Sequence, residues 1–335
     1  MTTRQRFCSP ISRPAPVAAL VILAIVAAGG CGRQGPSASR RSNATAPPTR
    51  SAETPLPLPT GMRLDPAGRS AAVGNMPLAM VASPEGDRLV LLLCGWREEG
   101  VQVVERATGR VLQTLPQKAA FLGLAFGRDG RTLYASGGNE DTVVRYAWRQ
   151  GRAVPDGAID LRDPRDKKDF KHYPAGIALS PRGDRLYVAE DLANDLAVVD
   201  LASGRVVQRA PTGPYPYAVA VAPDGAVYVS AWGGTEVSVF TPAADGRLAA
   251  AGRVEVGRHP SALLLNASGS RLFVALASLD RVAVVDTRAR RVTAVLRDPP
   301  PAGPAEGSTP DALALDPTGA RLFVAEADDD AIAVF

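Results

Sequence analysis

The chain has 335 residues, 46% hydrophobic and 21% charged, the proportions of a folded globular protein rather than a disordered one. Its 38 Lys and Arg against 34 Asp and Glu leave a net charge of +4. Three of those cations, Arg4, Arg6 and Arg13, fall in the first 30 residues, which hold no acid, so the remainder is near neutral and a basic nucleic-acid surface is excluded. Two histidines and three cysteines are too few for a His/Cys zinc site or a two-metal phosphatase centre, and they exclude a disulfide framework.

Val17 to Ala28 is a 12-residue apolar run, short for a membrane-spanning helix and right for the core of a signal peptide. It ends in Ala28-Gly29-Gly30-Cys31, which resembles a bacterial lipobox, with Ala28 where that pattern prefers Leu. The expectation is a signal peptide over residues 1–30 and a lipid on Cys31. The protein would be exported and membrane-anchored on the periplasmic or extracellular side. An ordinary secretory signal with an incidental Cys31 is the alternative. Residues 31–60 are rich in Pro, Ser, Thr and Ala, cannot bury a core, and read as a flexible tether.

From residue 61 the chain repeats. Six tight-turn glycines, Gly86, Gly130, Gly183, Gly225, Gly269 and Gly319, stand 44, 53, 42, 44 and 50 residues apart. Nine residues before them stand Pro77, Phe121, Pro174, Pro216, Pro260 and Pro310; seven before them stand Ala79, Gly123, Gly176, Ala218, Ala262 and Ala312. An apolar run such as RLYVA or RLFVA follows each glycine, and a second, such as LAVVD or VAVVD, comes later in the unit. β-Branched residues, alternation and bounding turns make these runs strands. A unit of roughly 40–50 residues with four short strands is a β-propeller blade. The expected fold is therefore an all-β propeller over 61–335 built of four-stranded blades. Six repeats are visible, forming six blades or a seven-bladed ring less one. The small residue in each first strand is expected where the innermost strands converge on the axis. The sixth copy ends after its third strand, and residues 68–77 match the fourth-strand ends elsewhere. Gly68 to Val73 are thus expected to pair with the strand ending at Phe335 and close the ring.

The copies resemble the YVTN-repeat, YncE-like family of bacterial β-propellers, best in PAGIALSPRGDRLYVAEDLANDLAVVDLASGRVV at 174–207. Residues 216–240 and 307–335 are similar to the N-terminal propeller of proteins that continue into an alkaline-phosphatase-superfamily domain. That resemblance implies an accessory role beside a phosphoesterase and carries over no catalytic residue.

Strand direction alternates, so turns between first and second and between third and fourth strands share one face. The remaining connections share the other, and they read as long and variable: CGWREEG (94–100), GGNEDT (137–142), EDLAND (190–195), AWGGTE (231–236) and the inserts at 157–172 and 298–309. Function concentrates on such loops. Residues beside the leading prolines, His172, Tyr173, Tyr215, Tyr217, His259 and Asp311, should crowd the channel mouth, with Trp232 and Trp96 in nearby loops. This set could receive a flat or polar small molecule; packing between blades, or plugging the channel, is the plainer reading. Acids gather on the same face. Glu190, Asp191 and Asp195 are the metal reading, because carboxylate oxygens suit a hard cation such as Ca²⁺; solvated loop carboxylates are the bland one. Lys167, Lys168 and Lys171 could meet an anionic partner or lipid headgroups, or simply be solvated.

No Gly-x-Ser-x-Gly, Walker-type loop or His-Glu-x-x-His is present. The sequence therefore points to a membrane-anchored, non-catalytic binding or scaffold module. It would meet a protein partner or small molecule on the long-loop face, with no cofactor and no nucleic acid. The alternatives are the accessory propeller of a phosphoesterase and a metal-dependent, lactonase-like hydrolase.

Overall fold

The computed structural model describes residues 70–297, 307–328 and 331–335. The expected signal peptide, Cys31, the tether over 31–60, Gly68, Arg69, most of the 298–309 insert, Asp329 and Asp330 lie outside the described residues. Six antiparallel sheets follow in chain order, forming the blades of a β-propeller. The first blade is β1 (Pro77–Ala82), β2 (Arg88–Gly95), β3 (Glu98–Glu105) and β4 (Val111–Pro116). The second is β5 (Leu124–Phe126), β6 (Thr132–Ser136), β7 (Thr142–Arg149) and β8 (Arg152–Asp160). The third is β9 (Pro174–Leu179), β10 (Arg185–Glu190), β11 (Asp195–Asp200) and β12 (Arg205–Pro211). The fourth is β13 (Pro216–Val221), β14 (Val227–Ala231), β15 (Glu236–Pro242) and β16 (Leu248–Glu255). The fifth is β17 (Pro260–Leu265), β18 (Arg271–Leu276), β19 (Arg281–Asp286) and β20 (Arg291–Arg297). The sixth has three strands among the described residues: β21 (Pro310–Leu315), β22 (Leu322–Glu326) and β23 (Ala331–Val334). No helix among the described residues is long and apolar enough to cross a membrane.

The period-2 geometry of a strand explains the run Arg-Leu-Tyr-Val-Ala. In β10, Leu186 and Val188 face back onto Tyr134 and Val143 of the second blade. Tyr187 faces forward onto Val229 and Phe240 of the fourth. In β18, Leu272 and Val274 face back onto Tyr228, and Phe273 faces forward onto Leu322 and Val324. A blade flanked on both sides therefore buries both faces, which is why its central strands are almost continuously apolar. Each such side chain contributes about 1.5–3 kcal/mol by leaving water.

The small residues of the first strands have a direct cause. A Cβ on Gly176 would lie 2.4 Å from the Tyr217 carbonyl oxygen and 2.9 Å from Ala218 Cα. One on Gly123 would lie 2.4 Å from the Ala175 carbonyl oxygen. The innermost strands of successive blades thus touch backbone to backbone.

Two expectations need correction. Residues 70–76 form no strand with β23. They lie on the first blade, where Gly74 N–H donates to Gln102 Oε1 at 3.0 Å and Ala71 sits against Gly109. Gly74 is held as Gly213 is held by Ser238 Oγ at the fourth blade, so this segment leads into its own blade. The outward face of the sixth blade stays uncovered: Ile332 and Val334 are 67% and 55% exposed, whereas Val101, Val143, Leu196, Val237 and Val282 at the equivalent position are 0% exposed. The loop lengths also differ from expectation. Cys94 and Gly95 end β2 and Glu98 to Gly100 begin β3, so only Trp96 and Arg97 connect them. Ladder pairing continues through residues that read as loop, leaving the Trp96 ring 92% exposed at a hairpin tip. Only the inserts between blades are long.

Gly176→Ala is expected to cost about 1–3 kcal/mol, the price of overpacking two backbones. The measurement is the urea midpoint at unchanged m; a midpoint equal to the parent's would show that the first strands can part here.

Candidate functional site at the channel mouth

The mouth is built by one device used repeatedly. The residue before each leading proline has positive φ: Met76 (50°), Tyr173 (57°), Tyr215 (50°), His259 (52°) and Thr309 (48°). Such a conformation is costly for a non-glycine residue and needs outside support. Asp141 Oδ1 accepts the backbone N–H of His172 at 2.9 Å and of Tyr173 at 3.0 Å. Asn194 Oδ1 accepts Tyr215 N–H at 2.8 Å. The Gly234 carbonyl accepts His259 N–H at 3.2 Å. Asp280 Oδ1 accepts Ser308 N–H at 2.9 Å and Thr309 N–H at 3.2 Å. Each acceptor lies in the loop between the second and third strands of one blade, and each donor begins the next blade.

The residues thus presented form an aromatic arc. Tyr173 meets Phe121 edge-on at 5.1 Å, Phe121 meets Tyr217 at 5.8 Å, and Tyr217 lies 6.4 Å from Trp232. Trp232 stacks on His259 at 4.9 Å with 17° between the planes. His259 Nδ1 also pairs with Ser278 Oγ. Tyr217, Trp232 and His259 line an open cleft of about 490 Å³ with Ser261, Asp280 and Asp311. Five predicted mouth residues, Tyr173, Tyr217, Trp232, His259 and Asp311, therefore belong to the arc or its cleft. Tyr215 does not: its ring lies over Gly233 and faces solvent. Phe121 joins the arc without a polar signal in the sequence; its one mark is that it stands where the other copies have proline.

His172 is the main correction. It is buried, not a rim residue. Its Nε2 lies 2.7 Å from Asp166 Oδ2 and its Nδ1 3.1 Å from Glu190 Oε2. Arg209 Nε meets Glu190 Oε2 at 2.7 Å and its Nη2 meets Glu190 Oε1 at 3.2 Å, while Nη2 also donates to the Leu161 carbonyl. The insert supplies Asp163 and Asp166, so its folding over β12 is what encloses the imidazole. The reading of Glu190 as a solvated loop acid therefore fails; it is fully buried. Burial alone would raise the Glu190 carboxyl, but contacts with His172, Asp195 and Arg209 hold it below its usual range. Burial and the neighbouring Glu190 push Asp195 up to about 8. Burial also opposes charge on His172, yet Glu190 and Asp166 outweigh it and push the imidazole up to about 9.

Of the residues in the metal reading, Glu190 and Asp195 come together with His172, their ligand atoms within 4.8 Å. Asp191 is not part of that group, and burial pushes its carboxyl up to about 6. Ca²⁺ prefers six to eight oxygens. Here it would meet one imidazole and two carboxyls, one of them already held by a guanidinium on both oxygens. As placed, the donors fit a proton-sharing ion network better than a hard cation.

Three of the insert's five cations are engaged by the protein, while no ion pair holds Lys167 or Lys168 among the described residues. Arg162 meets Asp160 at 2.6 Å, Arg165 meets Asp163 at 2.5 Å, and Lys171 Nζ reaches the Asn139 carbonyl at 2.7 Å. Cys94 Sγ donates to the Ala120 carbonyl at 3.0 Å, and burial raises its thiol; it is a core-edge residue.

The family described as SMP-30/Gluconolactonase/LRE-like region matches residues 162–278. The span takes in His172, Tyr217, Trp232 and His259 but not Asp280 or Asp311. No curated protein matches the sequence. Among solved structures, a protein from Lactobacillus plantarum is similar at TM-score 0.66 and 17% identity, over 79% of this chain and 82% of that one. The periplasmic gluconolactonase PpgL of Pseudomonas aeruginosa is similar at 0.64 and 20%, over 80% and 82%. Kuenenia stuttgartiensis hydrazine synthase is similar at 0.63 and 20%, over 81% and 79%. At these identities the likeness concerns the fold. The protein is a β-propeller, and residues 162–278, in its central blades, are similar to the gluconolactonase family's model.

The buried network has a measurable signature. Asp195 (3.8 to about 8) and His172 (6.5 to about 9) both hold protons in the folded state that the unfolded chain has released. Raised folded values mean stability present at low pH and lost as pH rises, from about 4 to 8 for Asp195 and from about 6.5 to 9 for His172. The melting temperature should therefore fall between pH 6.5 and 9. Asp195→Asn, which cannot titrate, should flatten that fall; an equal slope in the variant would contradict the assignment.

Proposed function

We propose that the protein is an exported, lipid-anchored β-propeller that binds a small molecule at the channel mouth without transforming it. The observation that carries this is the cleft itself, which the aromatic Tyr217, Trp232 and His259 share with Ser261, Asp280 and Asp311. An apolar platform with a few polar groups is the usual design of a ligand site. The backbone beneath it is pinned blade to blade by side-chain and carbonyl acceptors, so the wall is formed before a ligand arrives and little ordering entropy is lost on binding.

A lactonase-like hydrolase is the second reading, favoured by the profile match over 162–278. It needs a water activated by a cation or a base. The accessory-phosphoesterase reading rests on sequence resemblance alone.

A thermal-shift screen of neutral sugars, lactones, amines and nucleosides tests the first reading. A binder should raise the melting temperature, and Trp232→Ala should weaken it about tenfold or more. A ligand indifferent to Trp232 would move the site elsewhere. Lactone hydrolysis above the buffer rate, abolished by EDTA, would favour the hydrolase instead. For the anchor, Cys31→Ser should shift the protein from the membrane to the soluble fraction; unchanged fractionation would remove the lipid from the proposal.

A further inference from the structure

The charge of the mouth cleft is one-sided. Asp280 and Asp311 line it, and no Lys or Arg does among the described residues. Asp328 stands behind them, bonded to Thr309 Oγ1. Asp280 spends Oδ1 on the Ser308 and Thr309 N–H groups. Asp311 has no ion-pair partner among the described residues. The nearby Arg258 and Arg281 are exposed and lie outside the lining. Partial burial and the Asp328 charge hold the Asp311 carboxyl above its ordinary range, the signature of a carboxylate that lacks a counter-charge. Trp232 and Tyr217 line the same cleft, and their π clouds carry partial negative charge.

Three ligand classes can be weighed against this lining. An anion would be repelled by every charged group present. A neutral polyol could use the aromatic wall and the hydroxyls but would desolvate Asp311 further without compensating its charge. An ammonium gains from both walls at once, from the carboxylate by charge and from indole and phenol by cation–π attraction. We propose that the mouth cleft selects an organic cation, a primary or quaternary ammonium on a small body, seated between Asp311 and the Trp232 ring. The inference rests on the small-molecule reading of this cleft and names the ligand class for it.

The experiment uses matched pairs that differ in charge and hardly in shape. Choline is compared with 3,3-dimethylbutanol, and benzylamine with benzyl alcohol, by calorimetric titration of the full chain. The cation of each pair should bind at least about tenfold tighter than its neutral isostere. Asp311→Asn should remove most of that preference, and raised salt should weaken the cation and leave the alcohol unchanged. Asp245→Asn, on the opposite face, should change nothing. Isosteres that bind equally well, or a preference that survives in Asp311→Asn, would overturn the cation assignment while leaving the cleft as a ligand site. If no member of either pair binds, the cation assignment is also wrong. The small-molecule reading then falls only if the broader screen yields no Trp232-dependent ligand. Circular dichroism of Asp311→Asn guards against misfolding, and Asp311→Glu, which keeps the charge, should retain the preference.

Discussion

The structure depends on the hydrogen bond that crosses from one blade to the next at the mouth. Asp141, Asn194 and Asp280 each turn a side-chain oxygen toward backbone N–H groups that begin the following blade. Those N–H groups belong to segments bent into positive φ before a proline that has no N–H of its own. Without the acceptor, the N–H groups would be unsatisfied and the backbone strained at the same point, costing about 1–3 kcal/mol for each buried donor. With it, the strain is held by the neighbouring blade, and the side chain of the bent residue is delivered to the channel rim. Assembly of the ring and presentation of the site are therefore one interaction.

Two polar centres lie on this face and differ in kind. Around His172 the charges are enclosed, and each has a partner of opposite sign: Glu190 between imidazole and guanidinium, Asp166 on the other ring nitrogen. Such a network orders the insert and stores protons. Around Asp311 the charges are of one sign, open to solvent and in one cleft with aromatic rings. A closed set of charges is satisfied by the protein; an open set of one sign is left to solvent or to a ligand. That contrast, more than the number of acids, separates the structural centre from the proposed ligand site.

The repeat made the propeller legible before any coordinates. Period-2 runs, turn glycines at regular intervals and a small residue seven positions before each are local signals, fixed by what a strand and a tight turn require of nearby residues. The collision awaiting a Cβ at Gly176 shows the same rule from the structural side. Tyr173, Tyr217, His259 and Asp311 were legible as mouth residues for the same reason, since their positions relative to the leading prolines set where they project, and Trp232 was legible from its loop on the same face.

The sequence by itself determined the strands, their repeat, which connections share the mouth face and most of the residues there, because each follows from contacts within one blade-length of chain. Tertiary structure alone decided which polar residues are buried and what they meet. Arg209 reaches Glu190 across 19 residues and Leu161 across 48, and no periodicity announces such pairs. It also decided that residues 70–76 serve the first blade and not the last, that Tyr215 turns outward, and that Phe121 completes the arc. These outcomes depend on how separate blades pack, where a residue's environment is set by neighbours remote in sequence and only the folded ring brings them together.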